Sequence, residues 1–230
     1  MGGEKNSKYS RTDQKMNKDE LRDPINWCNK DGYYRGRKCP ICNVQGSFVL
    51  GGEKTYKLGK IVSGALRHFP KEFDIDVDDH GWTDINDLFK VLRKKYNWLK
   101  MRHLIGLIKS DEKERYELKG TKVRARYGHS IMVNLDDYPE NDQPILYYGT
   151  SEEEAGIILS VGLKPIRQRY VHLSKTYEKA LEAASIHTDR PIILKIDAKR
   201  AQLDDGIKIL SATKDIALAD KILPKYISKI

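Results

Sequence analysis

Three cysteines lie close together near the start of the chain, and their spacing is typical of a metal-binding knuckle. Cys28 is followed by Cys39 and Cys42, the last two in a Cys-Pro-Ile-Cys segment. The tight turn of such a segment places two thiolates on one Zn²⁺, and tetrahedral zinc needs four ligands. Asp31, three residues after Cys28, stands where a second ligand of the first pair would lie. The pattern predicts a structural zinc site; the alternative is a degenerate ribbon whose cysteines only pack.

Arginine and histidine occur together in three further places, which are Leu66-Arg67-His68, Val123–Ser130 and Tyr170–Ser174. Arginine makes permanently charged, bidentate contacts with phosphate, and histidine can donate or shuttle a proton. Taken singly, the Arg-His pair could be a solvated helix end, and His129 and His172 could be satisfied core histidines. Together the three groups favour a site for an anion.

The charge of the chain is uneven. Its 230 residues include 42 Lys+Arg and 33 Asp+Glu, a formal net charge of +9. Residues 1–60 hold 13 basic and 7 acidic residues, and residues 93–130 hold 12 and 4. Concentrated basic charge is typical of proteins that bind a phosphate-rich partner, although a solvated Lys-rich surface gives the same composition.

Some classes of protein are disfavoured by composition. No apolar run approaches the ~18 residues of a membrane span. The first residues lack the apolar stretch of a secretory signal. Three cysteines are too few for a disulfide framework. We therefore expect a cytoplasmic protein with no membrane association. We also expect a monomer, although no sequence feature fixes the oligomeric state.

Periodicity divides the first part of the chain into an arm, a cysteine segment and a lobe. Residues 1–22 are predicted to be a disordered basic arm, and 23–53 a zinc-ribbon-like segment. Residues 54–135 show apolar side chains at helical spacing and then a basic strand–Gly–strand hairpin. Helices are predicted at 57–69, 84–95 and 100–109, with a short strand or extended segment around 73–77. Helices followed by a basic hairpin predict a winged-helix-like lobe that contacts a phosphate backbone.

After a polar linker at 136–144 the pattern changes to short strands. Strands are predicted at 145–148, 171–173, 191–196, 207–211 and 221–228, and helices at 152–161 and 176–187. The chain as a whole is therefore predicted to be α+β, with a second, mostly stranded lobe over 136–230.

An ordered series of motifs resembles the NAD-dependent RNA (tRNA) 2′-phosphotransferase family, in the archaeal form that has an N-terminal cysteine knuckle. The motifs are Leu66-Arg67-His68, Asp79-x-Gly81-Trp82, Asp111-x-Lys113-x-Arg115-Tyr116, Val123-Arg124-Ala125-x-x-Gly128-His129-Ser130, Leu146-Tyr147-x-Gly149-Thr150, Gly162-Leu163-Lys164-Pro165 and Val171-His172-Leu173-Ser174. They cover roughly 57–230, and so many motifs in one order make the resemblance specific.

The resemblance implies a winged-helix lobe that binds RNA and an ADP-ribosyltransferase-like lobe that binds NAD⁺ as co-substrate. It also implies a two-step reaction. An internal RNA 2′-phosphate attacks C1″ of the nicotinamide ribose and expels nicotinamide. The ribose O2″ then attacks phosphorus, which releases 2′-hydroxyl RNA and ADP-ribose 1″,2″-cyclic phosphate.

The resemblance assigns residues to this chemistry. The family's catalytic set is Arg-His-Arg-Arg, and its first three members map by motif to Arg67, His68 and Arg124. Guanidinium groups would stabilise the charge that develops on the phosphate. The implied NAD⁺ pocket consists of Gly128, His129, Ser130, Tyr148, Gly149, Thr150, His172 and Ser174.

The fourth arginine of the set is not obvious. Three positions before Val171 stands Gln168, flanked by Arg167 and Arg169. Strand alternation would point Arg169 away from the His172 face, but a shift or bulge would bring either arginine into the site. We favour Arg169, with Arg167 as second choice.

RNA carrying a 2′-phosphate, of tRNA-like form, is the expected partner. Five basic residues of the 93–130 segment are expected to contact its backbone phosphates. They are Lys100, Arg102, Lys109, Lys113 and Lys122.

The chain also departs from the family pattern. Arg126-Tyr127 stands where Asn-Gln is usual, Tyr148 replaces a histidine, and archaeal relatives tend to carry histidine in place of Asp31. Two other functions therefore stay open. One is ADP-ribosylation of nucleic-acid terminal phosphates, which would leave the 2′-phosphate in place. The other is a non-enzymatic nucleic-acid-binding protein, which would not bind NAD⁺.

Overall fold

The chain forms antiparallel β-sheets with helices packed against them. The structure is a computed structural model that describes residues 22–230, so the predicted arm lies outside the described residues except for Arg22. Two large apolar clusters form the cores of two lobes, and a smaller cluster lies between them. The predicted mixed class of helices and strands is confirmed.

The first sheet carries the cysteines. It consists of β1 (Ile25–Cys28), β2 (Gly32–Arg35) and β3 (Ser47–Leu50) in the order β2-β1-β3. Ile25 and Leu50 are buried in the core of the next lobe rather than in a core of their own. Gly106 permits this packing, because a Cβ there would lie 3.1 Å from the ring of Tyr33. The cysteine module, residues 22–50, is therefore joined to the first lobe by shared core.

Three helices and a small sheet form the first lobe. They are α1 (Gly52–Arg67), α2 (Ile85–Lys95), α3 (Met101–Lys109), β4 (Thr83–Asp84), β5 (Tyr116–Lys119) and β6 (Lys122–Ala125), with the sheet in the order β4-β6-β5. α1 forms because Leu58, Val62 and Ala65 lie on one face and are fully buried. Asp84 caps α2 by accepting a hydrogen bond from the backbone N–H of Asn86. The three predicted helices and the hairpin are confirmed.

The segment around 73–77, predicted as a short strand or extended segment, begins instead with a helical turn. Pro70–Phe73 forms a turn of 3₁₀ helix, and Asp74 follows with a φ of 53°. Proline fixes its own φ and cannot continue α1, so the chain turns sharply at this point. The residues that follow pair with no strand among those described.

The segment between the lobes, predicted as a polar linker at 136–144, is packed. Tyr138 is buried with Leu210 and Leu218 in the small central cluster. The carbonyl of Pro139 accepts a hydrogen bond of 2.8 Å from the backbone N–H of Ser211. The polar residues of this segment therefore serve backbone pairing with the second lobe.

The second lobe is built on a six-stranded sheet. Its elements are β7 (Ile145–Thr150), α4 (Glu152–Val161), β8 (Val171–Ser174), α5 (Tyr177–Ala184), β9 (Ile192–Asp197), α6 (Ala198–Asp205), β10 (Ile209–Ser211), β11 (Ile216–Ala219) and β12 (Ile227–Lys229). The strand order is β10-β11-β8-β7-β9-β12, with antiparallel neighbours. Helix α6 and strand β11 were not predicted, because α6 buries only alanines and β11 is a short apolar run. Among residues 22–230, no helix is both long and apolar enough to cross a membrane.

Candidate active site

The end of α1 carries the Arg-His pair into the space between the lobes. His68 leaves the helix just before Pro70, and its backbone N–H still bonds to the carbonyl of Gly64. The Ser130 backbone N–H donates to the carbonyl of Arg67 at 3.0 Å, and the Ser130 hydroxyl lies 3.0 Å from His68 Nδ1. The Gly-His-Ser segment therefore fixes the position of the pair and leaves His68 Nε2 on the outer side.

Two of the three guanidinium nitrogens of Arg67 have no acceptor among the described residues, and the Tyr127 side chain is the hydrogen-bonding neighbour of this guanidinium. The two nitrogens are Nε and Nη2, and both are buried. The guanidinium carbon lies 4.8 Å from the ring centre of Tyr127. Gly128 has a φ of +84°, and a Cβ there would lie 3.1 Å from Arg67 Nη1. Burial lowers the pKa of Arg67, yet an arginine stays charged in proteins.

Arg115 is the second cation near this pair. Its Nε donates to both carboxylate oxygens of Asp111 at 3.1 Å, and its backbone N–H donates to Asp111 Oδ2 at 2.7 Å. Burial lowers the pKa of Arg115, but Asp111 outweighs this and raises it. The charge of Arg115 also contributes to lowering the pKa of Arg67, and its side chain borders the same cavity as His68. The Asp-x-Lys-x-Arg-Tyr motif is the signal in the sequence that could have identified Arg115.

Arg124, which the resemblance assigns to the catalytic set, is buried and fully paired. Its side chain is 4% exposed, with Nη2 at 2.9 Å from Glu117 and Nη1 at 2.8 Å from Asp137. Its guanidinium carbon lies 4.4 Å from the ring centre of Trp82 and 4.6 Å from that of Tyr138. Two carboxylates and two rings leave little approach for a phosphate. The geometry therefore favours a structural role for Arg124.

Two buried histidines extend the unpartnered cluster. The Nε2 atoms of His129 and His172 are buried without a hydrogen-bond partner among the described residues. Burial and then the charge of Arg67 lower the pKa of His129 to about 3 and that of His172 to about 4. Burial and Arg67 also lower the pKa of His68. All three imidazoles are therefore neutral at neutral pH, and Arg67 supplies the positive charge.

The fourth arginine has a clear candidate. The backbone N–H of Arg169 donates to the carbonyl of His129 at 2.9 Å, and its Nε donates to the carbonyl of Ser130 at 3.2 Å. Strand β8 begins only at Val171, so its alternation does not extend back to Arg169. Arg167 and Gln168 are exposed. The geometry favours Arg169, which stays a prediction.

The residues predicted to line the NAD⁺ pocket divide between the two faces of the second sheet. Ser174 pairs with Tyr147, so His172 and Ser174 share the face of Tyr147, next to Tyr127. Tyr148 lies on the opposite face and packs against the core of the second lobe. The replacement of histidine by Tyr148 therefore lies on the core side of the sheet, and the assignment of Tyr148 to the NAD⁺ pocket stays a prediction.

Two further residues of that prediction have structural partners. A Cβ on Gly149 would lie 2.3 Å from the carbonyl oxygen of Ala180, so this glycine is needed for the close packing of α5. Thr150 is buried, and its hydroxyl donates to Glu154. Both residues shape the sheet whatever else they contact.

The cysteines and Asp31 converge as the spacing predicts. One potential ligand atom from each of Cys28, Asp31, Cys39 and Cys42 lies within 4.8 Å of all the others. Asp31 Oδ2 is 3.1 Å from the Cys39 sulfur and 3.3 Å from the Cys28 sulfur. The thiols lower the pKa of Asp31, and Asp31 raises the pKa of Cys42 to about 12. Three sulfurs and one carboxylate at this separation fit the tetrahedral donor set of Zn²⁺.

The five basic residues expected to contact RNA are exposed but are not gathered on one surface. They are Lys100, Arg102, Lys109, Lys113 and Lys122. Lys100 is the N-cap of α3 and Lys109 is its last residue, and a separation of nine residues places them on opposite sides of the helix. Lys113 lies 3.6 Å from Glu182, and Lys122 borders a cavity lined by aspartates. None of the five lines the cavity next to His68.

Comparison with known proteins agrees with this arrangement. The profile of the family described as RNA 2′-phosphotransferase, Tpt1 / KptA family, matches residues 53–221. A probable RNA 2′-phosphotransferase 1 of Archaeoglobus fulgidus is 53% identical over 205 residues, which are 89% of this chain and 94% of that protein. A probable RNA 2′-phosphotransferase of Methanosarcina barkeri is 50% identical over 203 residues, 88% of this chain and 97% of that protein. One of Pyrococcus furiosus is 35% identical over 182 residues, 79% and 99% of the two chains. Because the match spans both lobes and the cluster between them, the chain belongs to the RNA 2′-phosphotransferase (Tpt1/KptA) family of transferases.

Proposed function

We propose that the chain transfers an internal RNA 2′-phosphate to NAD⁺. In the first step a phosphate oxygen bonds to C1″ of the nicotinamide ribose, and the bond to nicotinamide breaks. In the second step the ribose O2″ bonds to phosphorus, and the RNA 2′-oxygen leaves and takes up a proton. The products are nicotinamide, 2′-hydroxyl RNA and ADP-ribose 1″,2″-cyclic phosphate.

The observation that carries this proposal is the Arg67 guanidinium beside His68, whose buried Nε and Nη2 have no acceptor, and which has no anionic partner, among the described residues. A buried charge without a partner is costly, so the site is suited to an anion that pairs with it. Arg115 adds a second fork, whose orientation Asp111 holds, and Arg169 adds a third at the edge. Such prearranged donors stabilise phosphate charge without reorganising during the reaction. In this proposal Arg115 takes the place that the motif assigned to Arg124.

His68 is suited to hold the phosphate or to move a proton in the second step. Its Nδ1 faces the Ser130 hydroxyl, which fixes the ring orientation and can either donate or accept, so Nε2 is left for the substrate. Its neutral state allows it to accept a proton from O2″ or to donate one to the departing 2′-oxygen.

NAD⁺ is proposed to bind on the sheet face that carries His172 and Ser174. The unpartnered Nε2 atoms of His129 and His172 are suited to hydrogen-bond a polar ligand such as a ribose or an amide. We further propose that the first lobe is a winged-helix domain and the second an ADP-ribosyltransferase-like domain, as the element order of each suggests.

One assay tests the proposal against its alternatives. An RNA with a single internal 2′-phosphate is incubated with the chain and NAD⁺, and both products are measured. We expect loss of the 2′-phosphate from the RNA, with one molecule of ADP-ribose 1″,2″-cyclic phosphate formed for each phosphate removed. A stable ADP-ribosylated terminal phosphate would instead indicate nucleic-acid ADP-ribosylation. Absence of NAD⁺ binding by calorimetry would indicate a protein without this activity.

We also propose a structural zinc ion bound by Cys28, Asp31, Cys39 and Cys42. Purified chain is expected to contain about one Zn²⁺ per molecule, because each site takes one tetrahedral ion. Asp31→His, which restores a common zinc ligand, should retain the metal, whereas Cys42→Ser should lose it and lower Tm. Metal-free chain with an unchanged Tm after chelation would show that the cysteines only pack.

A further inference from the structure

A cavity of about 480 Å³ opens beside His68 and extends away from the second lobe. One wall is the exposed stripe of α1, and the opposite wall comes from the cysteine module and the loop before β5. The cavity connects the reacting end of α1 to a part of the molecule that the proposed chemistry does not use.

Helical spacing gives the wall its shape. Tyr56, Lys60, Gly64 and His68 line the cavity at intervals of four residues, and Ser63 lies beside Gly64. From Tyr56 to His68 the helix rises about 18 Å, which is several times the 3.4 Å rise per nucleotide of a stacked strand. A Cβ at Gly64 would meet no atom within 4 Å, so the surface there is open. The cavity is thus an open groove long enough for more than one nucleotide.

The charge of the groove is positive. Arg22, Arg35, Lys60 and Arg115 line it, against the acidic residues Asp23 and Glu112. The guanidinium carbon of Arg22 lies 3.6 Å from the ring centre of Tyr56, and Lys60 Nζ lies 5.0 Å from the same ring. An aromatic ring flanked by cations is a common combination in sites that follow a single-stranded nucleic acid.

Arg35 links the groove to the reaction centre. Its Nε donates to the carbonyl of Ser110 at 3.1 Å, while its buried Nη2 has no hydrogen-bond partner among the described residues. Its Nη2 also lies 3.7 Å from Asp111, the carboxylate that holds Arg115. One buried carboxylate therefore orients a cation from the cysteine module and a cation of the proposed active site.

We propose that this groove binds the single-stranded RNA that flanks the 2′-phosphorylated nucleotide, with Arg22, Arg35 and Lys60 contacting its backbone phosphates. The inference rests on the proposed function, and it assigns the cysteine module to substrate binding. It replaces the scattered set of five basic residues between Lys100 and Lys122 with a surface that leads directly to His68.

The test compares substrates of two lengths. The full chain is titrated with a dinucleotide and with a decanucleotide, each carrying one internal 2′-phosphate, and Kd and the single-turnover rate are measured. Arg22→Ala/Lys60→Ala should raise Kd for the decanucleotide roughly tenfold, because charge-assisted contacts are lost. The double variant should leave Kd for the dinucleotide and KM for NAD⁺ unchanged. The slope of log Kd against log salt should fall by about 0.7 for each lost contact.

Arg37→Ala is the matched control, since Arg37 is an exposed arginine of the same module outside the groove. It should change neither Kd. An equal loss for both RNA lengths would place these residues at the reacting nucleotide and overturn the proposal. A raised KM for NAD⁺ alone would show that the groove binds the co-substrate. Unchanged Kd values would show that the RNA binds another surface.

Arg35→Gln is the second variant, because it removes charge while retaining a donor for Ser110. We expect the same length-dependent loss; a length-independent loss would limit Arg35 to positioning Arg115. The experiment also separates the two proposals. If no phosphate is removed but decanucleotide binding still depends on Arg22 and Lys60, the proposed function fails and the groove stands. If phosphate is removed and binding does not depend on them, the groove fails alone.

Discussion

Arg67 and Arg124 both bring a guanidinium beneath the surface, and their surroundings are opposite. Arg124 is 4% exposed between two carboxylates and two aromatic rings. Arg67 has no carboxylate beside it: its Nε and Nη2 are buried without an acceptor among the described residues, and its neighbours are neutral histidines and the Tyr127 side chain. Both lie in short motifs that the sequence presents as equivalent parts of one basic site.

The difference separates a charge that maintains the fold from a charge that is prepared for a ligand. Removing one member of a buried ion pair leaves its partner uncompensated, so a paired arginine is needed for stability. A buried arginine without a partner destabilises the free protein and gains its partner when an anion binds. The same substitution at the two positions should therefore affect different properties.

The largest effect is expected on catalysis, from Arg67→Met. Methionine retains much of the side-chain volume and removes the charge, so the rate of 2′-phosphate removal should fall by about 10²–10³. Tm should stay the same or rise, since an unpaired buried charge is lost. Single-turnover kinetics and thermal unfolding measure both. A lower Tm with a normal rate would show that Arg67 is structural.

Arg124→Met should have the reverse effect. Glu117 and Asp137 lose their shared partner, which should lower the free energy of unfolding by about 3 kcal/mol, or Tm by roughly 6–12 °C for a chain of this size. Below Tm the remaining folded protein should keep most of its activity. Glu117→Gln combined with Arg124→Met should lose less stability than the two single losses added, because they share one interaction. If Arg124→Met keeps full stability and loses as much rate as Arg67→Met, Arg124 is a catalytic residue after all.

Periodicity could predict most of the fold, because a helix or strand that buries one apolar face has apolar residues at regular spacing in the sequence. Leu58, Val62 and Ala65 of α1 are examples. Helix α6 was not predicted, because its buried residues are the two alanines Ala198 and Ala201, which give only a weak apolar pattern. The packing of the segment 136–144 was not predicted, because this segment pairs with the second lobe through backbone groups, which side-chain hydropathy does not describe.

The motifs could predict which segments meet but not the state of each side chain. Arg67, His68 and the Gly-His-Ser segment converge as a group. Whether an arginine is paired depends on carboxylates distant in sequence, such as Asp137 for Arg124 and Asp111 for Arg115. Likewise, strand alternation and register place Tyr148 on the face that packs against the core of the second lobe, which its motif alone does not show.

A smaller effect is expected at the edge of the site, where Arg169 and Arg167 form a natural pair. Arg169 is exposed and therefore screened by solvent, so Arg169→Ala should lower the rate by about tenfold rather than abolish activity. Arg167→Ala is the control and should change little, because only Arg169 has its side chain bonded to the Ser130 carbonyl. NAD⁺ affinity should be unaffected in both. If Arg167→Ala has the larger effect, the segment before β8 adopts another register when substrate binds.

The smallest effect concerns the neutral histidines around Arg67 and is measured by stability against pH. The pKa of His172 is lowered to about 4 by burial and by Arg67, although a hydrogen bond to the Tyr170 backbone works in the opposite direction. The unfolded chain therefore takes up this proton first as pH falls. The stability that depends on the neutral imidazole is complete above about pH 6.5 and is lost as pH falls toward 4. His172→Gln should reduce the slope of the free energy of unfolding in that window by up to about 1.4 kcal/mol per pH unit. His187→Gln is the control, because His187 is exposed in the folded chain and should leave the slope unchanged. An unchanged slope in His172→Gln would mean that folding does not lower the pKa of His172, and the imidazole beside Arg67 would then not be held neutral by its surroundings.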